Sequence, residues 1–310
     1  MLKVIPLRYG TIFKKAFGDP EVFSRFAGDV LGMDLHFTKV QHEFSYPKPI
    51  GHVKIEYDLY AEDVEHRIIV EVQHIREQDF FDRFLHYHLV SLVEQAESHE
   101  KYRITRDVFT LVLLTTAPKE KDLRFSVAVS DMDPISEQGA RLGVYRHRLV
   151  FLNPRIINEK TPAGARGWME LIADSLDGEV DEDAYPDPMM QRALRSSVLA
   201  RVSPEELAHI KDEAAWEDTK MGAREEGRKA GLVEGELKGH QSGLTAGREL
   251  GIHEGELKGR RDALLRLLAR AGLSLTDEER ARVEACQELA ILDRWLENVL
   301  GAKTAADVLS

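Results

Sequence analysis

The sequence is nearly devoid of cysteine and has no long apolar run, and both absences exclude classes of protein. Cys286 is the only cysteine in 310 residues, which excludes an internal disulfide framework and a multi-cysteine zinc site. The longest apolar stretch, Val108 to Leu114, is interrupted by Thr110 and is far shorter than the ~20 residues of a membrane-spanning helix. Met1 to Gly10 lacks a basic segment followed by a long apolar run, so we expect no signal peptide and a cytoplasmic protein.

Positive charge is also scarce. Lys and Arg total 42 against 54 Asp and Glu, which gives a net charge of −12. Phosphate contacts depend on Lys and Arg, so this balance argues against binding to nucleic acid. The acidic residues are unevenly placed, however, with a dense cluster between Asp177 and Asp183. Binding to nucleic acid therefore stays open for the rest of the chain.

The first half of the chain has the mixed pattern of an α/β domain. Asp19 and Pro20 predict the start of a helix whose apolar positions recur at helical spacing to Leu31, and Gly32 predicts its end. The other patterns predict, in chain order, a strand over 53–60, a turn over 62–66, a strand over 67–74, a helix over 79–98, and strands over 109–116, at Val127 and Val129, and over 149–152. We therefore expect an α/β domain over residues 1–155.

After Pro154 the sequence predicts helices joined by linkers. We expect a helical connector with an exposed acidic linker over 156–220, a glycine-containing helix over 221–259, and a small helical domain over 260–310. The connector contains a short predicted helix over 168–176. Ser203 with Glu206, and Thr276 with Glu279, have the spacing of capping boxes and predict two further helix starts.

Glycine occupies every fourth position from Gly227 to Gly259, nine times without a miss. Glycine costs roughly 1 kcal/mol relative to alanine inside a helix, so this row disfavours an isolated helix. A regular row of small residues allows close approach of two backbones. Because the period exceeds the ~3.6 residues of a helical turn, two such helices would wrap in a right-handed sense. We expect a homodimer joined through residues 227–259, and a flexible, partly helical linker is the alternative.

A candidate site lies on the predicted hairpin formed by the strands over 53–60 and 67–74. Glu71 and Gln73 are two residues apart on one strand and therefore project from the same face, while Val72 points to the other. Asp58 on the preceding strand can reach the same face. Two converging carboxylates can bind Mg²⁺, which activates water and stabilises charge on a phosphodiester. An ordinary solvated hairpin is the alternative, but residues 68–73 read as a strand buried on both faces, where carboxylates are costly unless paired or metal-bound.

The same residues resemble a known family. Tyr57-Asp58-Leu59, followed by Ile69-Val70-Glu71-Val72-Gln73, is similar to the core of the Rpn family of recombination-promoting nucleases, which are PD-(D/E)XK transposase-like proteins. The resemblance extends over residues 8–116 through Phe13 to Gly18, Arg83, Tyr87, Gln95, Tyr102 and Val108 to Leu113. The family's acidic residue before Phe-Lys is absent here, where the sequence reads Tyr9-Gly10-Thr11-Ile12, so Glu43 or Glu56 would have to replace it.

The resemblance implies a fold and an activity. It implies a PD-(D/E)XK restriction-endonuclease-like core, with a mixed central sheet flanked by helices, that acts as an Mg²⁺- or Mn²⁺-dependent DNA endonuclease promoting recombination. Asp58, Glu71 and Gln73 would be the catalytic residues. Asp58, Glu71 and the backbone carbonyl of Val72 would bind the metal, and Arg83, Lys14 and Lys15 are candidate DNA-phosphate contacts. A scaffold with weak or lost catalysis, working through C-terminal oligomerisation, is the alternative.

The C-terminal tail resembles the domain of unknown function DUF4351, through residues 292–296 and 305–309. This resemblance assigns no chemistry. Other chemistries find less support in the sequence. His86 and His88 are two apart on a predicted helix and do not face each other. The sequence has no G-x-S-x-G elbow for a serine nucleophile, and no Gly-Lys-Ser/Thr ending follows the glycine row.

Overall fold

The computed structural model describes residues 1–47, 54–74, 79–96, 103–116 and 124–310. The chain divides into two compact units, Met1–Lys220 and Met221–Ser310. The expectations for Val53, Ser98 and Tyr102 lie outside the described residues.

The first unit is built on a mixed six-stranded sheet, which confirms the expected α/β class. Its strands, in spatial order, are β2 (Gln41–Phe44), β3 (Tyr57–Glu62), β4 (His66–Gln73), β5 (Asp107–Leu114), β7 (Arg148–Leu152) and β6 (Val127–Asp131). β4 runs parallel to β5 and β5 parallel to β7, whereas the other pairs are antiparallel. A separate two-stranded sheet pairs β1 (Leu2–Lys3) with β8 (Glu179–Val180).

Helices cover both faces of the large sheet. α1 (Gly10–Phe17), α2 (Pro20–Leu31), α4 (Ala163–Asp174) and α5 (Pro188–Ser197) bury their apolar faces in one core with alternate residues of the strands. α3 (Phe80–Val93) packs in a second core on the opposite face. The apolar β-branched run of β5 therefore lies between two apolar layers, as expected for a central strand.

Local capping signals are confirmed where they were predicted. The Asp19 carboxylate accepts the backbone N–H groups of Glu21 and Val22 at the start of α2, and Gly32 ends the helix with a left-handed φ of 68°. Ser203 and Glu206 form a reciprocal capping box at the start of α6 (Pro204–Arg270). These signals work because the residues that satisfy the helix ends are neighbours in sequence.

Several predicted boundaries are wrong. β3 begins at Tyr57 rather than near residue 53 and continues through Glu62, which was assigned to the turn. The turn is shorter because Asp63 accepts the backbone N–H groups of Glu65 and His66, so Glu62 stays in the ladder opposite Arg67 and pairs with its guanidinium at 2.9 Å. The other elements keep their predicted type with shifted ends; α3, for example, ends at Val93.

The sequence predicted an exposed acidic linker around residues 177–183, but part of this segment forms a strand. Glu179 and Val180 form β8, and Val180 is fully buried. Residues 156–220 supply side chains, including Trp168, Leu194 and Ile210, to the same core as α1 and α2. Their apolar faces thus join the sheet-bearing unit.

In the second unit, α6 continues as helix through all nine glycines. Apart from the chain neighbours and the nearby backbone of α6 itself, a Cβ added at any glycine of the row would meet no atom of the described residues within 4 Å. α7 (Asp277–Ala285), α8 (Leu289–Asn298) and α9 (Ala305–Val308) form a small core with the end of α6, and Cys286 packs at its edge. None of the helices in the described ranges has the length and apolar character needed to cross a membrane.

Candidate active site

Asp58 and Glu71 meet where the ladder between β3 and β4 ends. The ladder runs from the Glu62–Arg67 pair to the Leu59–Val70 pair. Beyond it, the backbone N–H of Asp58 donates to Glu71 Oε1 at 3.1 Å, and the backbone N–H of Val72 donates to Asp58 Oδ2 at 3.0 Å. Each carboxylate therefore binds the backbone of the opposite strand, and the two acids are held at one point.

The strand alternation is broken beside Asp58. Tyr57 and Tyr60 pack in the same core against α3, with ring centroids 6.0 Å apart, although they are three residues apart. Leu59 lies in the opposite core, whereas regular strand alternation would place Tyr57 and Leu59 on one face. A local irregularity of this kind re-aims a side chain and is frequent beside active sites. Here it lies at Asp58.

Burial and mutual repulsion shape the electrostatics of the pair. Glu71 is only 3% exposed, and burial, followed by the nearby Asp58 carboxylate, holds its pKa well above the ordinary range of a glutamate. Burial also raises the pKa of Asp58. The hydrogen bond from the N–H of Val72 and the charges of Lys14 and Arg83 lower this pKa, but by less than burial raises it. Two such acids favour a proton or a bound cation between them.

Lys14 and Arg83 approach the pair from opposite faces of the sheet, on α1 and α3. Both charges lower the pKa of Asp58 and of Glu71. Arg83 donates to the Tyr87 hydroxyl at 3.3 Å and lies over the Tyr87 ring. The sequence nominated both cations as phosphate contacts, and the structure brings both close to the carboxylates.

Glu43 on β2 completes this neighbourhood. Its Oε1 accepts from Lys14 Nζ at 2.5 Å. Burial opposes the charged amine, but this bond and the Asp58 carboxylate raise the pKa of Lys14 overall. Glu43 has a φ of 52°, a left-handed conformation that is uncommon for a residue with a Cβ and is often found at functional sites.

The remaining nominated residues divide between the site and its surroundings. Gln73 ends β4 on the face of Glu71, whereas Val72 packs against the opposite core, which confirms the predicted alternation. Glu56 is exposed and pairs with Lys54 at 3.4 Å, so of the two substitute acids only Glu43 reaches the neighbourhood of Asp58. Lys15 donates to Glu206 on α6 at 2.8 Å.

The donor set at the pair consists of oxygen atoms. Among the described residues, no group of three or more His, Cys, Asp or Glu side chains is placed to bind a metal. Asp58 and Glu71 supply two carboxylates, and the backbone carbonyl of Val72 and the amide of Gln73 are the adjacent oxygen donors. Such a set suits Mg²⁺ or Mn²⁺, which bind few protein oxygens and retain water, better than it suits zinc.

Comparisons of the chain with protein-family models, with curated proteins and with solved structures find no match. The geometry of the site and the sequence motif must therefore carry any assignment of function.

Proposed function

We propose that the chain is an Mg²⁺- or Mn²⁺-dependent DNA endonuclease of the PD-(D/E)XK kind that hydrolyses phosphodiester bonds and promotes recombination. The observation that carries the proposal is the reciprocal bonding of Asp58 and Glu71 at the end of the β3–β4 ladder, with Glu71 buried and its pKa raised. The mixed sheet and the resemblance of residues 57–73 to the Rpn nucleases support it.

Each residue has a distinct role in this proposal. Asp58, Glu71 and the carbonyl of Val72 would hold the cation. When bound, a divalent cation supplies a water of lowered pKa and stabilises charge on the phosphoryl oxygens. The amide of Gln73 carries no charge and orients the water or a phosphate oxygen by hydrogen bonding. Arg83, Lys14 and Lys15 are the proposed contacts to DNA phosphates.

Cleavage of supercoiled plasmid tests the proposal. The wild type should nick plasmid in the presence of Mg²⁺ or Mn²⁺, and Asp58→Ala and Glu71→Ala should abolish nicking. Glu56→Ala is the matched control, because it removes an exposed acid that lies three residues before Leu59, outside the paired ladder. Undiminished metal-dependent cleavage by both site variants would make the assignment wrong.

We also propose that the chain forms a homodimer through residues 227–259, so that two sites act on one duplex. The glycines of the row are open, and large apolar side chains between them are exposed: Leu232, Leu237, Leu244 and Leu250. In a lone helix, replacing Gly235, Gly239 and Gly243 by alanine should add roughly 1 kcal/mol of helix stability per site. In a close helix pair, the added methyl groups should dissociate the dimer.

Light scattering of the full chain separates these outcomes. The wild type should have the mass of a dimer and the triple alanine variant that of a monomer, while Ser242→Ala, an exposed position inside the row, should leave the mass unchanged. A monomeric wild type would leave the row as a linker. A scaffold without catalysis is the second candidate function. It is favoured because, among the residues that the structure describes, two carboxylates, those of Asp58 and Glu71, form hydrogen bonds across the β3–β4 junction. The plasmid assay decides between the enzyme and the scaffold.

A further inference from the structure

The first turns of α6 present a row of acids to the sheet-bearing unit. Ile210 anchors this part of the helix, since it is buried in the core that α1 and α2 share. Glu206, Glu213 and Glu217 are spaced seven and four residues apart around this anchor, which places them on one face of the helix. Each of them contacts a positive or N–H-rich group of that unit.

Glu213 binds the N-terminus of α1. Its carboxylate accepts the backbone N–H groups of Gly10 at 2.8 Å and Thr11 at 3.0 Å, and the Thr11 hydroxyl at 2.5 Å. α1 has no acid in its first turn, and Tyr9 gives no side-chain cap. A helix N-terminus attracts anions. At the N-terminus of α1 the anion is the Glu213 carboxylate, which belongs to a helix far away in the sequence.

Glu217 lies against a second basic group. Its Oε2 is 3.8 Å from both Arg8 Nη2 and His74 Nε2, and its side chain is only 12% exposed. Arg8 Nη1 donates to His74 Nε2 at 3.1 Å. The guanidinium of Arg8 is always charged, so Arg8 supplies the positive charge that faces Glu217.

Glu206 accepts from Lys15 Nζ at 2.8 Å, which gives the row a third cationic partner. These contacts adjoin the candidate site. α1 also carries Lys14, His74 directly follows Gln73, and the charge of Glu213 raises the pKa of Asp58. The acids of α6 therefore cover the positive surface that borders the Asp58–Glu71 pair.

We propose that Glu206, Glu213 and Glu217 occupy the positions at which phosphates of a nucleic-acid duplex bind, so that the start of α6 competes with the substrate. This inference rests on the proposed function, because it takes the partner to be DNA. It deepens that function by adding an autoinhibitory contact.

Stabilisation of the fold alone explains the row less well. The side chains of Lys15 and Glu206 are 30% and 27% exposed, and an ion pair near the surface contributes little to stability because of solvent screening and side-chain entropy. Burial and the nearby Glu213 and Asp218 raise the pKa of Glu217 against the charge of Arg8, so the contact with Arg8 does not fully offset the burial of this carboxylate. The same arrangement explains how a chain with a net charge of −12 could bind DNA. Release of Glu206, Glu213 and Glu217 would expose Arg8, Lys15 and the N-terminus of α1 together, and so would create a positive surface.

Binding of a short labelled duplex in EDTA, measured by fluorescence anisotropy on the full chain, tests the inference without cleavage. Glu213→Gln with Glu217→Gln should bind roughly tenfold more tightly than the wild type, the gain expected when the open state rises from about a tenth to nearly all of the population. Asp212→Asn with Asp218→Asn is the matched control. It removes the same charge from exposed positions of the same helix and should change the affinity by less than about twofold, as a remote and screened effect.

Equal affinity of the two double variants would overturn the inference, and so would the absence of duplex binding by all three proteins. Hydrogen exchange on the wild type is a second test, and it does not depend on whether the variants fold correctly. Saturating duplex should speed exchange of amides in residues 206–217 while Gly10 and Thr11 stay protected. Unchanged exchange in α6 would also overturn the inference. Tighter binding without plasmid cleavage by any variant would refute the nuclease and leave the contact standing.

Discussion

Replacing Glu71 by glutamine should stabilise the metal-free protein and abolish its stabilisation by Mg²⁺. Burial and the Asp58 carboxylate raise the pKa of Glu71 in the folded state above its unfolded value. The protonated form therefore stabilises the fold at low pH, and this contribution is lost as pH rises through the folded pKa. Glutamine keeps the shape and an oxygen to accept the N–H of Asp58, but it does not titrate.

The size of the effect follows from the environment of the side chain. A buried polar group without full compensation costs about 1–3 kcal/mol. A unit of the size of Met1–Lys220 gains roughly 2–4 °C in Tm for each kcal/mol. Saturation of the site by Mg²⁺ at 1,000 times its Kd would stabilise the wild type by about 4.1 kcal/mol, which exceeds this cost. The glutamine variant should therefore melt above the wild type in EDTA and below it in Mg²⁺.

Calorimetry of the full chain in EDTA and in Mg²⁺, at about pH 6 and about pH 8, measures this reversal. The advantage of the variant in EDTA should be larger at the higher pH. Glu56→Gln is the control, because Glu56 is exposed, and it should follow the wild type in all conditions. A variant that melts below the wild type in EDTA at both pH values, with equal Mg²⁺ shifts for both proteins, would refute the reasoning.

Three further predictions concern single residues. Gln73→Ala should lower the cleavage rate strongly while Mg²⁺ binding, measured by titration calorimetry, persists; loss of binding would make Gln73 a ligand. Lys14→Gln should raise the pKa of Asp58 further and move the onset of cleavage to higher pH, because Lys14 favours the charged carboxylate; an unmoved pH profile would contradict this. Burial and His147 lower the pKa of His88 to about 4, so its neutral form stabilises the fold fully above about pH 6.5, and that contribution falls by about 1.4 kcal/mol per pH unit toward pH 4. His88→Gln should flatten acid unfolding over this window, and equal slopes would exclude the role.

Short-range signals in the sequence predicted the elements that depend on neighbours in the chain. The capping of α2 by Asp19, the capping box at Ser203 and the one at Thr276 each need residues no more than three positions apart. β5 was predictable because its apolar, β-branched run is too short for most helices and fits a strand buried on both faces.

Long-range contacts decided the features that the sequence did not predict. β8 is a strand because Leu2 and Lys3 pair with Val180 and Glu179. The end of β3 depends on the bonds that Asp63 accepts from the N–H groups of Glu65 and His66, and on the pairing of Glu62 with Arg67. Polar composition alone cannot distinguish such residues from an exposed linker or turn.

The same division holds for the candidate site. Asp58, Glu71 and Gln73 could be nominated from strand alternation and from the family motif. The approach of Lys14 to Asp58 depends on how α1 packs on the sheet, and the contact of Glu43 with Lys14 depends on a left-handed residue within β2. Neither contact can be predicted from the local sequence pattern.

The charges around Asp58 connect the metal, the substrate and α6. With Asp58 and Glu71 ionised, as metal binding requires, these two acids and Glu43 carry three negative charges against the two positive charges of Lys14 and Arg83. Glu213 on α6 adds a fourth negative charge that acts on Asp58. A divalent cation would bring this set to neutrality and leave no attraction for a phosphodiester. Departure of α6 would leave the metal-loaded site with one positive charge, which matches the single negative charge of the scissile phosphate. Metal binding and release of α6 should therefore act together, so the affinity for duplex gained on replacing Glu213 by glutamine should be larger in Ca²⁺ than in EDTA.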